Sequence, residues 1–98
     1  MTEALAQKTI ETKVGYLPAP KPFHHRYSSD TLMEAIREQA MAHFGVENHT
    51  DRNVHEFFLE FEGQRITNYG QTLEAVIGGK HHEKADFELV EQVTNGAR

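Results

Sequence analysis

The chain contains no cysteine and no tryptophan. Without cysteine there is no disulfide, no thiolate nucleophile and no zinc–thiolate centre within it, and no thioester of the kind a conjugating enzyme forms. Its three prolines fall within one short stretch, Pro18-Ala19-Pro20-Lys21-Pro22, so the rest of the chain is free of the residue that most strongly breaks helices and strands. No apolar run approaches the roughly 20 residues that cross a membrane as a helix. The opening Met1-Thr2-Glu3-Ala4-Leu5-Ala6-Gln7-Lys8 has neither the basic start nor the apolar centre of a secretory signal. The cytoplasm is therefore the expected compartment, with no membrane partner. Basic residues are also scarce: 10 Lys and Arg stand against 15 Asp and Glu, for a net charge of −5. Nucleic-acid backbones are gripped by clustered Lys and Arg, so that class of partner is not expected either.

What is present suits one small domain. At 98 residues and 38% hydrophobic, the chain can build a compact core but has little room for a deep cleft. Residues 1–7 read as a flexible arm. Ile10, Thr12, Val14 and Tyr16 then alternate with polar neighbours, the pattern of a strand with one buried face. The proline stretch cannot occupy a central strand, because proline has no N–H to donate. It reads as a rigid connection to a second strand, Phe23 to Tyr27, with Phe23, His25 and Tyr27 on one face. Asp30 and Thr31 both offer helix caps: with Asp30 as the cap Met33 is the third helical residue, and with Thr31 as the cap Glu34 is, completing a capping box. Leu32, Ile36, Ala40 and Phe44, with Met33 beside them, recur at helical spacing. Gly45 stops the helix, which is expected over 31–44.

The second half begins with a polar loop from Glu47 to Asn53. Phe57, Leu59 and Phe61 alternate with Phe58, Glu60 and Glu62, so a strand is expected over 57–62. Gly63-Gln64 turns the chain into a short return strand at Arg65-Ile66. Residues 71–77 suit one short helical turn before Gly78-Gly79. After a polar loop, a last strand is expected over 86–93, with Phe87, Leu89 and Val93 inward. The expected core is Ile10, Val14, Leu32, Ile36, Leu59, Phe61, Leu73, Phe87 and Leu89.

This order of elements, and three stretches of sequence within it, resemble ubiquitin. Leu59-Glu60-Phe61-Glu62-Gly63-Gln64-Arg65-Ile66 is similar to its apolar strand, glycine turn and short return strand. Thr72-Leu73 is similar to the pair that opens its short helical turn. Asp86-Phe87-Glu88-Leu89-Val90-Glu91-Gln92-Val93-Thr94-Asn95-Gly96 is similar to its last strand and tail. The resemblance is to a bacterial ubiquitin-like (β-grasp) protein family. It implies an α+β fold, a four- to five-stranded mixed sheet packed on one main helix, with the first and last strands parallel at the centre. It also implies a domain over 8–93 and a flexible tail over 94–98.

The function this resemblance implies is that of a ubiquitin-like protein modifier or modifier-derived protein-binding module. The alternatives are a β-grasp interaction domain without tail chemistry, or a sulfur carrier, which ranks lower because a terminal Gly-Gly is missing. The implied partners are other proteins, including activating and conjugating enzymes and a processing peptidase. Gly96 aligns with the terminal glycine of mature ubiquitin and is the conjugation and processing candidate; use of its carboxylate requires removal of Ala97-Arg98. The protein-binding face is assigned to Phe58, Glu60, Glu62, Glu88 and Val90. Acids stand there at positions that are apolar or histidine in ubiquitin, so the expected partner presents Lys or Arg. Phe58 is either covered by a loop or part of the contact surface.

No enzyme activity is expected. Asp, Glu and His are plentiful, but no spacing groups them into an acid–base pair or a nucleophile triad. Gly78-Gly79-Lys80-His81-His82 lacks the spacing of a phosphate loop. The seven histidines include the adjacent pairs His24-His25 and His81-His82. Neighbours on a strand point to opposite faces, so each pair supplies one residue to a given site at most. They read as solvated or partly packed, with no metal and no cofactor expected.

Overall fold

The computed structural model describes residues 9–50, 52–78 and 84–95. The expected arm at 1–7, the pair His81-His82 and Gly96 with the rest of the tail lie outside the described residues.

Strands β1 (Thr9–Tyr16) and β2 (Phe23–Ser28) form an antiparallel hairpin in register from Thr9↔Ser28 to Val14↔Phe23. The proline stretch is the connection between them, opened by a turn in which Ala19 N–H donates to the Tyr16 carbonyl at 2.8 Å. Along β1 the alternation is complete: Ile10, Thr12 and Val14 are buried while Thr9, Glu11 and Lys13 are exposed. Thr12 can sit in the core because its hydroxyl donates to the Ile10 carbonyl, 3.2 Å away.

Helix α1 (Met33–Phe44) starts two residues later than the sequence suggests, and neither Asp30 nor Thr31 caps it. The residue preceding its first turn is Leu32, in extended conformation with no side-chain cap. The reason lies far along the chain. Met33 N–H donates to the Gln71 carbonyl at 2.9 Å and Glu34 N–H to the Tyr69 carbonyl at 3.0 Å. Backbone acceptors thus satisfy donors that a capping side chain would otherwise take. Thr31 instead closes a turn back to the Ser28 carbonyl, and the Ser28 hydroxyl donates to Asp30 Oδ1. The late start also rotates the apolar stripe. Met33, Ile36 and Ala40 are buried, whereas Leu32, expected in the core, is 44% exposed. Gly45 ends the helix in the left-handed conformation, φ 74°, as expected.

Residues 47–53, read as loop, contain a two-residue strand β3 (His49–Thr50). It pairs with β4 (Asn53–Phe61), which begins four residues before the alternating stretch that announced it. Glu62 and Gly63 both take positive φ, 53° and 83°. They form the two-residue primed turn that matches strand twist, leading into β5 (Gln64–Arg65). Helix α2 (Leu73–Ile77) is capped by Thr72, whose hydroxyl accepts from Ala75 N–H at 3.1 Å. The last strand, β6 (Lys84–Asn95), runs two residues past its expected start and end, so Thr94 and Asn95 belong to the ladder with β4 rather than to a free tail.

The sheet has the order β2-β1-β6-β4-β3, with β5 also on β4. β1 and β6 are parallel at the centre, from Glu11↔Lys84 to Tyr16↔Leu89. β6 and β4 are antiparallel from Asn53↔Asn95 to Phe61↔Phe87. This is the ubiquitin-like β-grasp arrangement. One face of the sheet packs with α1 and α2 around Ile10, Val14, Met33, Ile36, Leu59, Leu73 and Leu89, all at most 2% exposed. Phe57, Ile66 and Phe87 complete the cluster; Phe61, expected in the core, is half-buried at its edge. The opposite face of the sheet remains open.

Candidate protein-binding face

The open face is built by the other half of each strand's alternation. On β4 the outward residues are Glu56, Phe58 and Glu60; on β6 they are Asp86, Glu88, Val90 and Gln92. The ladder register sets Phe58 opposite Val90 and Glu60 opposite Glu88. Four of the five residues expected on this face therefore share one compact area. Glu62 does not: it occupies the β4–β5 turn with φ 53°, where the strand alternation has ended.

Phe58 is half-buried, and what covers it is neither a loop nor empty solvent. The Arg65 guanidinium lies over its ring, 4.4 Å from the centroid, as a cation on an aromatic face. Arg65 also donates to Gln92 Oε1 on β6. One long side chain thus spans three strands and covers Phe58. Sequence reading missed Arg65; its place depended on the two-residue turn that folds β5 back along β4.

Beside Phe58 and Val90 stand Glu60 and Glu88. They are directly opposed on neighbouring strands, yet neither has an ion pair with any described residue. Like charges in directly opposed positions destabilise a sheet. Gly15 flanks them on β1, in register with Glu88, and its lack of a side chain leaves room for that carboxylate. Towards β2 the same face turns mixed in sign, with Glu11, Lys13, His24, Lys84 and Asp86 around a shallow depression of about 230 Å³. That depression is open and charged, unlike the enclosed apolar clefts that hold small ligands.

A second grouping lies at the far end of the inward face, where sequence reading expected solvated or partly packed histidines. β3 sets His49 opposite His55 of β4, and their rings stack with centroids 4.1 Å apart. His55 Nδ1 lies 2.7 Å from Glu91 Oε2 on β6. Of the other described histidines, His25 lies between Phe23 and Tyr27, His43 packs against Phe23 and Phe44, and His24 lines the charged depression. No helix among the described residues is long and apolar enough to cross a membrane.

No protein-family model and no curated protein matches the chain. Solved structures do. The chain is similar to the ubiquitin of Caldiarchaeum subterraneum, at a TM-score of 0.65 and 16% identity over 90% of this chain and 99% of that one. A structure described as molecular mimicry of SUMO that promotes DNA repair is similar at 0.63 and 13% identity, over 88% and 95% of the two chains. The ubiquitin-like domain of an Arabidopsis thaliana protein is similar at 0.61 and 15% identity, over 97% and 89%. At such identities the likeness establishes the fold alone: the chain has the ubiquitin-like β-grasp fold.

Proposed function

We propose that the chain is a modifier-derived, non-catalytic protein-binding module that uses the open sheet face to engage a Lys- or Arg-bearing segment of a partner protein. The observation that carries this reading is the directly opposed pair Glu60 and Glu88, next to the apolar pair Phe58–Val90; neither acid makes an ion pair with a described residue, since Arg65, opposite Glu60 on β5, reaches over Phe58 to Gln92 instead. A partner's basic side chain at Glu60 and Glu88 relieves their repulsion, while its apolar neighbour covers Val90. Charge complementarity of this kind chiefly raises the association rate and is screened by salt.

The modifier reading itself rests on Gly96, and the likeness to ubiquitin structures keeps it in view. The pairing of Asn95 with Asn53 weighs against it. A tail that must thread into an enzyme's narrow active site gains from being free, and here the backbone immediately before Gly96 is held in the sheet.

The test is comparative capture from the source cells with the full chain and with its Glu60→Lys/Glu88→Lys variant, at low and moderate salt. A partner held by the native chain, weakened by salt and lost with the variant, supports the face. A partner bound equally by both rules the face out. Mass spectrometry of the recovered native chain decides the tail: a species ending at Gly96, or Gly96 joined to an amine of another protein, establishes the modifier instead.

A further inference from the structure

The inward face of the sheet changes character along its length. Around Leu59 and Leu89 it is fully buried. Towards the other end of the β4–β6 ladder burial falls away: Val93 is 50% exposed and His55 half-buried. With a period of two, Phe57 and His55 follow Leu59 on β4, and Glu91 and Val93 follow Leu89 on β6. Past the core, this face therefore presents an imidazole and a carboxylate in place of apolar side chains. The short strand β3 adds a second imidazole, and nothing in the packing of the core calls for any of the three.

We propose that His49, His55 and Glu91 form a binding site for a divalent cation of the zinc class. One ligand atom from each of the three lies within 4.8 Å of the other two. Around a tetrahedral zinc, with ligand bonds of about 2.0–2.1 Å, any two ligands stand roughly 3.3 Å apart. The observed set needs only a modest contraction to reach that spacing. His55 Nδ1 and Glu91 Oε2, now in direct contact at 2.7 Å, separate slightly to admit the ion, and His49 moves inward. His49 and Glu91 are exposed, so side-chain rotation suffices.

The donor set is chemically apt. Two imidazole nitrogens and one glutamate oxygen make up a known three-residue zinc set, with a further position left for water or another group. It differs from the oxygen-rich cages that calcium and magnesium select. The scaffold holds the ligands from three strands. β3 is fixed to β4 by the pairs His49↔His55 and Thr50↔Val54. Just before it, Asn48 Oδ1 accepts from Phe57 N–H at 2.9 Å, tying the approach to β3 down on the same strand edge. A bound ion then staples the short edge strand β3, through β4, to the central strand β6.

The experiment uses the full chain without a histidine tag. Zinc is titrated by calorimetry and by NMR of the histidine ring signals, alongside His49→Ala, His55→Ala, Glu91→Ala and the control His24→Ala. Expected are one zinc per chain, shifts of the His49 and His55 ring signals, and unchanged affinity in the control. Loss of an outer ligand partner alone typically weakens a metal site by about 10–100-fold, so each ligand substitution is expected to weaken binding at least as much. All three positions are exposed or half-buried, and circular dichroism verifies that each variant is folded. The proposal is overturned by absence of one-to-one binding at millimolar zinc, by binding that leaves the two rings unshifted, or by native affinity in any folded ligand variant.

Discussion

Leu32 and Thr72 form an isolated antiparallel bridge, and through it α1 and α2 begin against each other. The exchange is reciprocal. α1 receives carbonyls from Tyr69 and Gln71, while Leu73 N–H donates to the Thr31 carbonyl at 2.8 Å and Glu74 N–H to the Ser29 carbonyl at 3.0 Å. Each helix start lends acceptors to the other. The side chain that does cap is Thr72, on α2. Thr72→Ala is expected to cost about 1 kcal/mol, within the usual range for a lost cap. Asp30→Ala, at the position where the sequence suggests a cap, should cost less. Urea unfolding of the two variants checks the order.

Leu59 and Leu32 make a second contrast. Leu59 has no exposed surface and lies at the centre of the sheet, so Leu59→Ala should lose roughly 2–5 kcal/mol. Leu32→Ala, at a position 44% exposed, should stay within about 0.5 kcal/mol. Comparable losses at the two positions would contradict the placement of Leu32 outside the core.

Tyr27 gives the domain an alkaline limit. Its hydroxyl donates to Gln39 Oε1 at 2.8 Å, and burial pushes its pKa from 10.0 to about 12. The folded state favours the neutral phenol, whereas the unfolded chain ionises near pH 10. The contribution is therefore complete below pH 10 and is lost as pH rises from there through about 12. It amounts to no more than roughly 2–3 kcal/mol. Tyr27→Phe should flatten this part of the stability profile, as measured by urea midpoints at increasing pH.

Gly15 tests how freely the acidic face can rearrange. Its φ is not in the left-handed region, and an added Cβ would come within 3.0 Å of Glu88 Oε1, the mobile end of an exposed side chain. Gly15→Ala should therefore fold normally, with a gain of up to about 1 kcal/mol from reduced unfolded-state freedom offset by the shift of Glu88. A loss above roughly 2 kcal/mol, outside the ordinary effect of a surface change, would mean that Glu88 is held in place.

The features legible in the sequence were those that a few adjacent residues decide. Alternation marked β1, the apolar half of β4, and β6; Gly45 marked the end of α1, and the likeness of Thr72-Leu73 to the ubiquitin pair marked the start of α2. What escaped depends on residues far apart in the chain. β3 has no pattern of its own and exists because His49 and Thr50 meet β4. The start of α1 is set by carbonyls of Tyr69 and Gln71, which no local capping rule can see. On the open face, register alone brings Glu60 to Glu88, and a turn with two positive φ values brings Arg65 over Phe58. The set His49, His55 and Glu91 needs three strands aligned at once, and the spacing of these residues in sequence carries no ligand motif.

The parallel pairing of β1 with β6 bears on how the chain comes off a ribosome. Ile10, Val14 and Ile36 are synthesised well before Phe87 and Leu89, with which they share the core. Until β6 emerges, the N-terminal hairpin and α1 have apolar faces and nothing to cover them. Closing the centre of the sheet requires joining segments far apart in sequence, the slow kind of contact. Folding during translation therefore has no stable halfway point, and a nascent chain cut short before β6 exposes the surface that chaperones hold and proteases clear.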